Sequence, residues 1–351
     1  MNARAMLEQA VAENASDIFL VAGRPLSLRK NGVLSMENEE RLLPDDTAAF
    51  LKEIYELADN RDMRSLLSHG DDDFSFAIPG VSRFRVSAYK QRGTLSAVIR
   101  VITFRLPDYH MLGIPDAIIN LGLGGKGMTL ITGPAGSGKS TTLACIIDQI
   151  NQNQEKHIIT LEDPLEFLHR HNKSIVSQRE IHVDTDSYVA ALRAALRQSP
   201  DVILLGEMRD YETIGVAMTA AETGHLIIST LHTIGAANTI DRIIDVFPAN
   251  QQRQIAVQLS MVLQAIVSQQ LVPDVNGNVI PAFEIMTVTP AIRNMIRENK
   301  VPQIDGVVYS SNREDMISMD SSLLKLYQEG KITKETALVY ASNPEMLQKR
   351  L

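Results

Sequence analysis

Gly133-Pro134-Ala135-Gly136-Ser137-Gly138-Lys139-Ser140 satisfies the pattern G-x-x-x-x-G-K-[ST] at every fixed position. An apolar run at 128–132 precedes it, and a helical stretch from about 139 to 150 follows. A strand, a glycine loop and a helix in that order restrict the chain to a parallel α/β arrangement. Glycines let backbone N–H groups close around phosphate oxygens, and the helix N-terminus adds partial positive charge. Lys139 would reach the β- and γ-phosphates of a nucleotide, and the Ser140 hydroxyl would ligate Mg²⁺. Thr141, the next residue, completes the expected nucleotide set. A glycine turn that meets the pattern by chance is the competing reading, and the strand and helix in register argue against it.

The rest of the second half agrees with this start. Short runs rich in Ile, Leu and Val at 128–132, 157–161, 202–205 and 226–230 are separated by helical stretches, the pattern of a parallel sheet. From Thr289 onward the chain reads as helical, with Thr289-Pro290 as an N-cap followed by proline at the first helical position. The first hundred residues read as α+β. A short helix carries Met6, Ala10, Val11 and Ala15, and a second carries Phe50, Leu51, Ile54, Tyr55 and Leu57. Strands are expected at 17–21, 25–29, 73–78, 83–90 and 94–104, with turns at Pro79-Gly80 and Arg92-Gly93. The expected domains are 1–105, a linker at 106–116 that holds Pro107 and Pro115, and 117–351 with C-terminal helices from about 289. A length of 351 residues suits two domains at about 150 residues each.

Composition then removes several classes of function. Lys plus Arg is 34 against 42 Asp plus Glu, a net charge of −8, which gives no global basic footprint for nucleic acid. Cys145 is the single cysteine, so neither an intrachain disulfide nor a four-cysteine zinc cluster can form. No stretch approaches the run of about 18 apolar residues that spans a bilayer. Glu8 and Glu13 interrupt the N-terminal apolar residues, so a signal peptide is not expected and the expected compartment is the cytosol.

Nucleotide hydrolysis also needs carboxylates. The apolar run 202–205 leads into Gly206-Glu207, and with glycine where a strand-end Asp is usual, Glu207 is the group best placed to orient water. A surface glutamate at a strand end is the alternative. Glu162, Asp163 and Glu166 follow the run 157–161, at the edge where ligands bind such sheets. Glu162 could hold Mg²⁺ or its water and Asp163 could orient a neighbour, unless Asp163-Pro164 only opens a turn. His225 and His232 bracket the run 226–230 and could report the γ-phosphate by hydrogen bonding. Their spacing and the absence of a nearby cysteine speak against zinc.

The segment 127–273 resembles the type II/type IV secretion ATPases, the RecA-like hexameric motors of pili and secretion systems. Four boxes stand in the family's order. They are the glycine loop, Thr160-Leu161-Glu162-Asp163-Pro164-Leu165-Glu166, the Gly206-Glu207-Met208-Arg209-Asp210 ending, and Thr223-Gly224-His225 through Thr230-Leu231-His232-Thr233. The family's second nucleotide box lacks the usual Asp, so Gly206 is expected. Within the family, Ala15-Ser16-Asp17-Ile18, Arg83-Phe84-Arg85-Val86 and Ala291-Ile292-Arg293-Asn294-Met295-Ile296-Arg297-Glu298 resemble the group that retracts type IV pili. The extension and type II secretion motors usually carry a tetracysteine zinc insertion, which this chain cannot make.

The resemblance implies an α/β fold, with a RecA-like P-loop ATPase core, a smaller α+β PAS-like N-terminal domain and a helical C-terminal region. It implies ATP and Mg²⁺ as ligands and retraction of type IV pili, with twitching motility, as the work done. It also implies a homohexamer, cytoplasmic and peripheral at the inner face of the membrane, that meets the pilus machinery through an inner-membrane platform protein. Nucleic acid is not an expected partner, nor is a metal cluster. N-terminal arginines act as fingers in the family, and the matching positions are Arg85, Arg92 and Arg100. Arginines on strand edges are also commonly solvated or paired locally. Arg209 is expected to pair with a box carboxylate. The alternatives are an extension or type II secretion ATPase, a RecA-like nucleic-acid translocase and a regulatory module with a dead site. Phe19 where the family often has His, Gly215 where it has a long residue, and 312–316 in place of a glycine-containing turn are departures.

Overall fold

A computed structural model of the chain describes residues 2–30, 32–102, 106–311 and 313–351. The residues separate into two units. One holds the described residues up to 102 together with Glu166–Leu168, and the other holds Leu106–Leu165 and His169–Leu351.

The smaller unit is a six-stranded antiparallel sheet in the order β3-β2-β1-β6-β5-β4. Its strands are β1 (Asp17–Leu20), β2 (Pro25–Lys30), β3 (Val33–Arg41), β4 (Asp71–Ile78), β5 (Ser82–Gln91) and β6 (Thr94–Ile102). Helices α1 (Ala3–Ala12), α2 (Pro44–Leu57) and α3 (Arg64–His69) complete it. Met6, Leu7 and Ala10 of α1 and Leu51, Ile54 and Tyr55 of α2 share one core with Ile18, Leu28, Phe76, Phe84, Val86 and Ile99 of the sheet. The expected strand 94–104 is seen to Ile102, and Thr103 and Phe104 lie outside the described residues. Strand β3 was not expected. Its largely exposed, acidic sequence lacks the apolar alternation by which a half-buried strand is read.

The buried Asp72 carboxylate fastens β4 to α2 and to the Arg61 that follows it. Asp72 accepts from the Tyr55 hydroxyl at 2.8 Å and from Arg61 through two nitrogens, at 3.0 and 2.8 Å. Burial alone would raise the Asp72 carboxyl, but the Arg61 and Tyr55 hydrogen bonds outweigh it and hold the group below its usual value. A carboxyl depressed in the folded state stabilises above its unfolded pKa of about 3.9, and loses that contribution as pH falls through its folded value. Arg61 is 41% exposed, so Arg61→Ala is expected to cost a modest ~1–2 kcal/mol at pH 7, as it strands the carboxylate. Urea unfolding at pH 7 and again near pH 3 checks this. The gap between variant and wild type should close at the lower pH, and a constant gap would remove the ion pair as its cause.

The larger unit is an eight-stranded sheet in the order β14-β13-β12-β7-β11-β10-β8-β9. The strands are β7 (Gly127–Thr132), β8 (His157–Glu162), β9 (Ile175–Glu180), β10 (Val202–Leu205), β11 (Leu226–Leu231), β12 (Leu263–Pro273), β13 (Val279–Thr287) and β14 (Met316–Ile317). Strands β12, β7, β11, β10, β8 and β9 run parallel, while β13 and β14 add antiparallel pairs at one edge. Its helices are α4 (Asp116–Ile119), α5 (Lys139–Asn153), α6 (Tyr188–Ala195), α7 (Tyr211–Glu222), α8 (Ala236–Asp245), α9 (Ala249–Val262), α10 (Pro290–Arg297), α11 (Ile304–Ser310), α12 (Met319–Gln328), α13 (Lys334–Tyr340) and α14 (Pro344–Gln348).

Both faces of β7, β8, β10 and β11 are covered, which is why these strands read as apolar runs without alternation. Leu143, Ile146, Ile147 and Ile150 of α5 cover one face, against Ile131, Ile158, Leu204 and Ile228. Helices α6 to α10 cover the other, against Leu130, Ile159, Ile203 and Ile227. A third cluster gathers α12, α13 and α14 with β12 and β13 through Leu323, Ala337, Leu347, Val272 and Ala282. Tyr109, Leu112 and Ile114 from the expected linker pack into the α5 cluster, so apolar side chains attach that segment to the larger unit.

The expected C-terminal helices begin at Pro290, capped by the Thr289 side chain, and the two residues of β14 interrupt them. Ile292 and Ile296 of α10 are buried, and Arg293 turns back to donate to the carbonyls of Ser260 and Met261 at the end of α9. That guanidinium satisfies carbonyls left without helical partners. Of the noted departures, Phe19 lies under the Arg29 guanidinium, and a Cβ on Gly215 would meet only Phe247, at 3.9 Å. Asn312 lies outside the described residues.

Candidate active site

The phosphate loop leaves the buried end of β7 and enters α5. Gly133 has φ +140 and Gly138 has φ +86, in the region that side chains rarely adopt. Space gives a second reason for glycine. A Cβ on Gly133 would collide with the Gln269 carbonyl, and one on Gly138 would sit 2.8 Å from Gln269 Nε2. Gly136 has nothing within 4 Å of its Cβ position, and the Ser137 hydroxyl is buried without a partner among the described residues. Lys139, only 8% exposed, donates through Nζ to the carbonyls of Gly133 at 2.9 Å and Pro134 at 2.8 Å. An ammonium held across the mouth of a loop with an open glycine and an orphaned hydroxyl suits phosphate oxygens.

The parallel register brings the carboxylates to the same edge. Leu205 of β10 lies opposite Leu161 of β8, so Gly206-Glu207 and Glu162 emerge beside each other. Arg209 Nε donates to Glu207 Oε2 at 2.6 Å, and His232 Nε2 stands 3.4 Å from the same oxygen. Arg209 therefore pairs with a box carboxylate. Thr230 donates to the Gly206 carbonyl, which ties β11 to this turn. Asp210 caps α7, accepting from the Thr213 amide and hydroxyl at 2.8 Å each. Gln178 Nε2 reaches Glu162 Oε1 at 3.5 Å. Asp163 Oδ2 lies 3.9 Å from His182 Nε2.

The glycine at 206 has a spatial cause. A Cβ there would lie 2.8 Å from the Tyr188 hydroxyl and 3.4 Å from Glu162 Cα. Burial, with Glu207, Asp163 and Glu162 nearby, pushes that hydroxyl well above the usual tyrosine range, so it stays protonated. Neither Tyr188 nor Gln269 was expected from sequence. Tyr188 lies 18 residues before Gly206 and no spacing rule links them.

The two histidines are not brought together. His232 follows β11 at the loop's edge of the sheet. His225 precedes β11, where its Nδ1 contacts the carbonyl of Ala220 at 2.9 Å. Six residues of strand, roughly 20 Å at about 3.3 Å each, separate the two ends. His225 is thus at the far edge from the phosphate loop of its own unit.

The three arginines belong to the smaller unit. Arg85, Arg100, Asp17 and Arg29 are successive cross-strand partners on β5, β6, β1 and β2. Asp17 is buried, and it accepts from Arg100 Nε at 3.2 Å with Arg29 at 3.8 Å. Arg92 sits exposed in the turn between β5 and β6, at φ +48.

Residues 2–283 match the family model described as type II/IV secretion system protein. The type IV pilus retraction ATPase PilT of Pseudomonas aeruginosa is 42% identical over 345 residues, covering 98% of this chain and 99% of that protein. A twitching motility protein of Neisseria gonorrhoeae is 48% identical over 276 residues, covering 78% of this chain and 74% of that one. A crystal structure of the pilus retraction motor PilT with bound ADP superposes with a TM-score of 0.89 at 44% identity, covering 99% of both chains. With a matching model over most of its length and a relative aligned from end to end, the chain belongs to the type II/IV secretion system protein family.

Proposed function

We propose that this chain is a Mg²⁺-dependent ATPase that powers retraction of type IV pili, and with it twitching motility. One observation carries the reading: the phosphate loop and its carboxylates are intact in a chain 42% identical, end to end, to a pilus retraction ATPase. The larger unit is read as a RecA-like core. The smaller is read as PAS-like, on its antiparallel sheet with α2 and α3 between β3 and β4. The working form is a ring of identical subunits, a hexamer. It acts at the cytoplasmic face of the inner membrane through a platform protein of the pilus machinery. No helix among the described residues is long and apolar enough to cross a membrane.

In this reading the loop amides, the α5 N-terminus and Lys139 bind the β- and γ-phosphates, with Ser137, Ser140 and Thr141 around them. Ser140 and Glu162 would hold Mg²⁺, which when bound neutralises charge on the phosphates. Glu207 orients the attacking water and takes its proton, while Arg209 and His232 fix the carboxylate's direction. Arg85, Arg92 and Arg100 are candidates for the guanidinium that offsets charge on the γ-phosphoryl group. His225 falls outside the nucleotide set.

A deletion strain tests the cellular role. It should keep surface pili that no longer retract, and wild-type chain should restore twitching. A strain without surface pili would instead assign the chain to pilus extension.

A further inference from the structure

Gln269 belongs to none of the sequence boxes, yet it touches the phosphate loop at two points and the following helix at a third. It lies on β12, which pairs in parallel with β7, and is 3% exposed. Its carbonyl fills the space where a Cβ on Gly133 would sit, and its Nε2 packs over Gly138. Its Oε1 accepts the hydroxyl of Thr142 on the first turn of α5, at 2.7 Å, and Thr142 is fully buried. The loop is thus gripped at two of its three positive-φ glycines and at the helix that follows. The neighbouring side chain serves a different element: Gln270 Nε2 donates to the Tyr340 carbonyl at 3.3 Å.

We infer that Gln269 is a positioning residue for phosphate binding, holding the loop amides and the α5 N-terminus in the arrangement that receives the nucleotide's phosphates. The inference rests on the nucleotide-binding reading of the loop. The loop's glycines give it freedom that has to be withdrawn before several N–H groups can converge on one anion. The Gln269 amide withdraws it by contact with Gly138 and Thr142. Being neutral, it does so without placing charge beside the phosphates.

Fluorescent ADP with Mg²⁺ is the probe, with ATP turnover and melting temperature measured alongside. Gln269→Leu is expected to raise the Kd for ADP and the KM for ATP together, about tenfold, with a smaller fall in kcat. Thr142→Val, which removes only the hydroxyl, should move both in the same direction. The double variant should bind no more weakly than the worse single, because both lose one shared hydrogen bond. Gln269→Glu supplies a signature that packing alone would not move. A carboxylate there repels phosphate, so its ADP affinity relative to wild type should recover as pH is lowered and the group protonates.

Kd values within twofold of wild type for Gln269→Leu and Thr142→Val would overturn the inference. So would single effects that simply multiply in the double variant, or a Gln269→Glu chain with the wild-type pH profile. Failure of the wild-type chain itself to bind ADP would overturn the underlying nucleotide reading instead.

Discussion

Lys139→Ala is expected to abolish ATP hydrolysis, lowering kcat/KM by roughly a thousandfold or more. The ammonium is the single cation that the loop itself supplies, and its two bonds to the carbonyls of Gly133 and Pro134 show that it already spans the mouth of the loop. Its loss removes charge where the proposed reading puts the β- and γ-phosphates. It also frees the loop carbonyls, so ADP affinity should fall as well. Phosphate release and fluorescent-ADP binding measure both effects, and the melting temperature shows whether the fold survives. A variant that keeps a tenth of wild-type kcat/KM would remove Lys139 from the phosphate site.

Glu207→Gln should separate chemistry from binding. The amide keeps the shape of the side chain and loses the negative charge and proton affinity that the proposed water-positioning role needs. We expect kcat to fall by about two to three orders of magnitude while the KM for ATP changes by less than about threefold. Arg209 and His232 both converge on Glu207 Oε2, so Arg209→Ala should lower kcat by less than the loss of Glu207 itself. Steady-state kinetics at saturating Mg²⁺ distinguish the cases. Hydrolysis at the wild-type rate in Glu207→Gln would refute the water-positioning role.

The parts of the site that were legible in sequence are those the backbone builds locally. The phosphate loop depends on glycines that must take positive φ, on the strand that delivers them and on the helix that receives the anion, all within about 25 consecutive residues. The strands β7, β8, β10 and β11 were readable because burial on both faces leaves continuous apolar runs. Strand β12 was not. It follows α9 without a glycine or proline between them, and an apolar run alone does not distinguish a buried helix from a buried strand. With β12 hidden, Gln269 was hidden too.

The charge and the single cysteine had excluded classes of function without placing any residue. The sequence by itself determined the order of strand, loop and helix and the family resemblance, because each follows from neighbours along the chain. Only the tertiary structure decided which distant groups meet. The parallel register set Glu207 beside His232 and left His225 a strand's length away. Packing brought the Tyr188 hydroxyl over position 206 and so explained its glycine. The pairing of β12 with β7 brought Gln269 to Thr142, which it follows by 127 residues. No local periodicity encodes such meetings. They arise when apolar surfaces close on one another, and that closure carries polar groups with it.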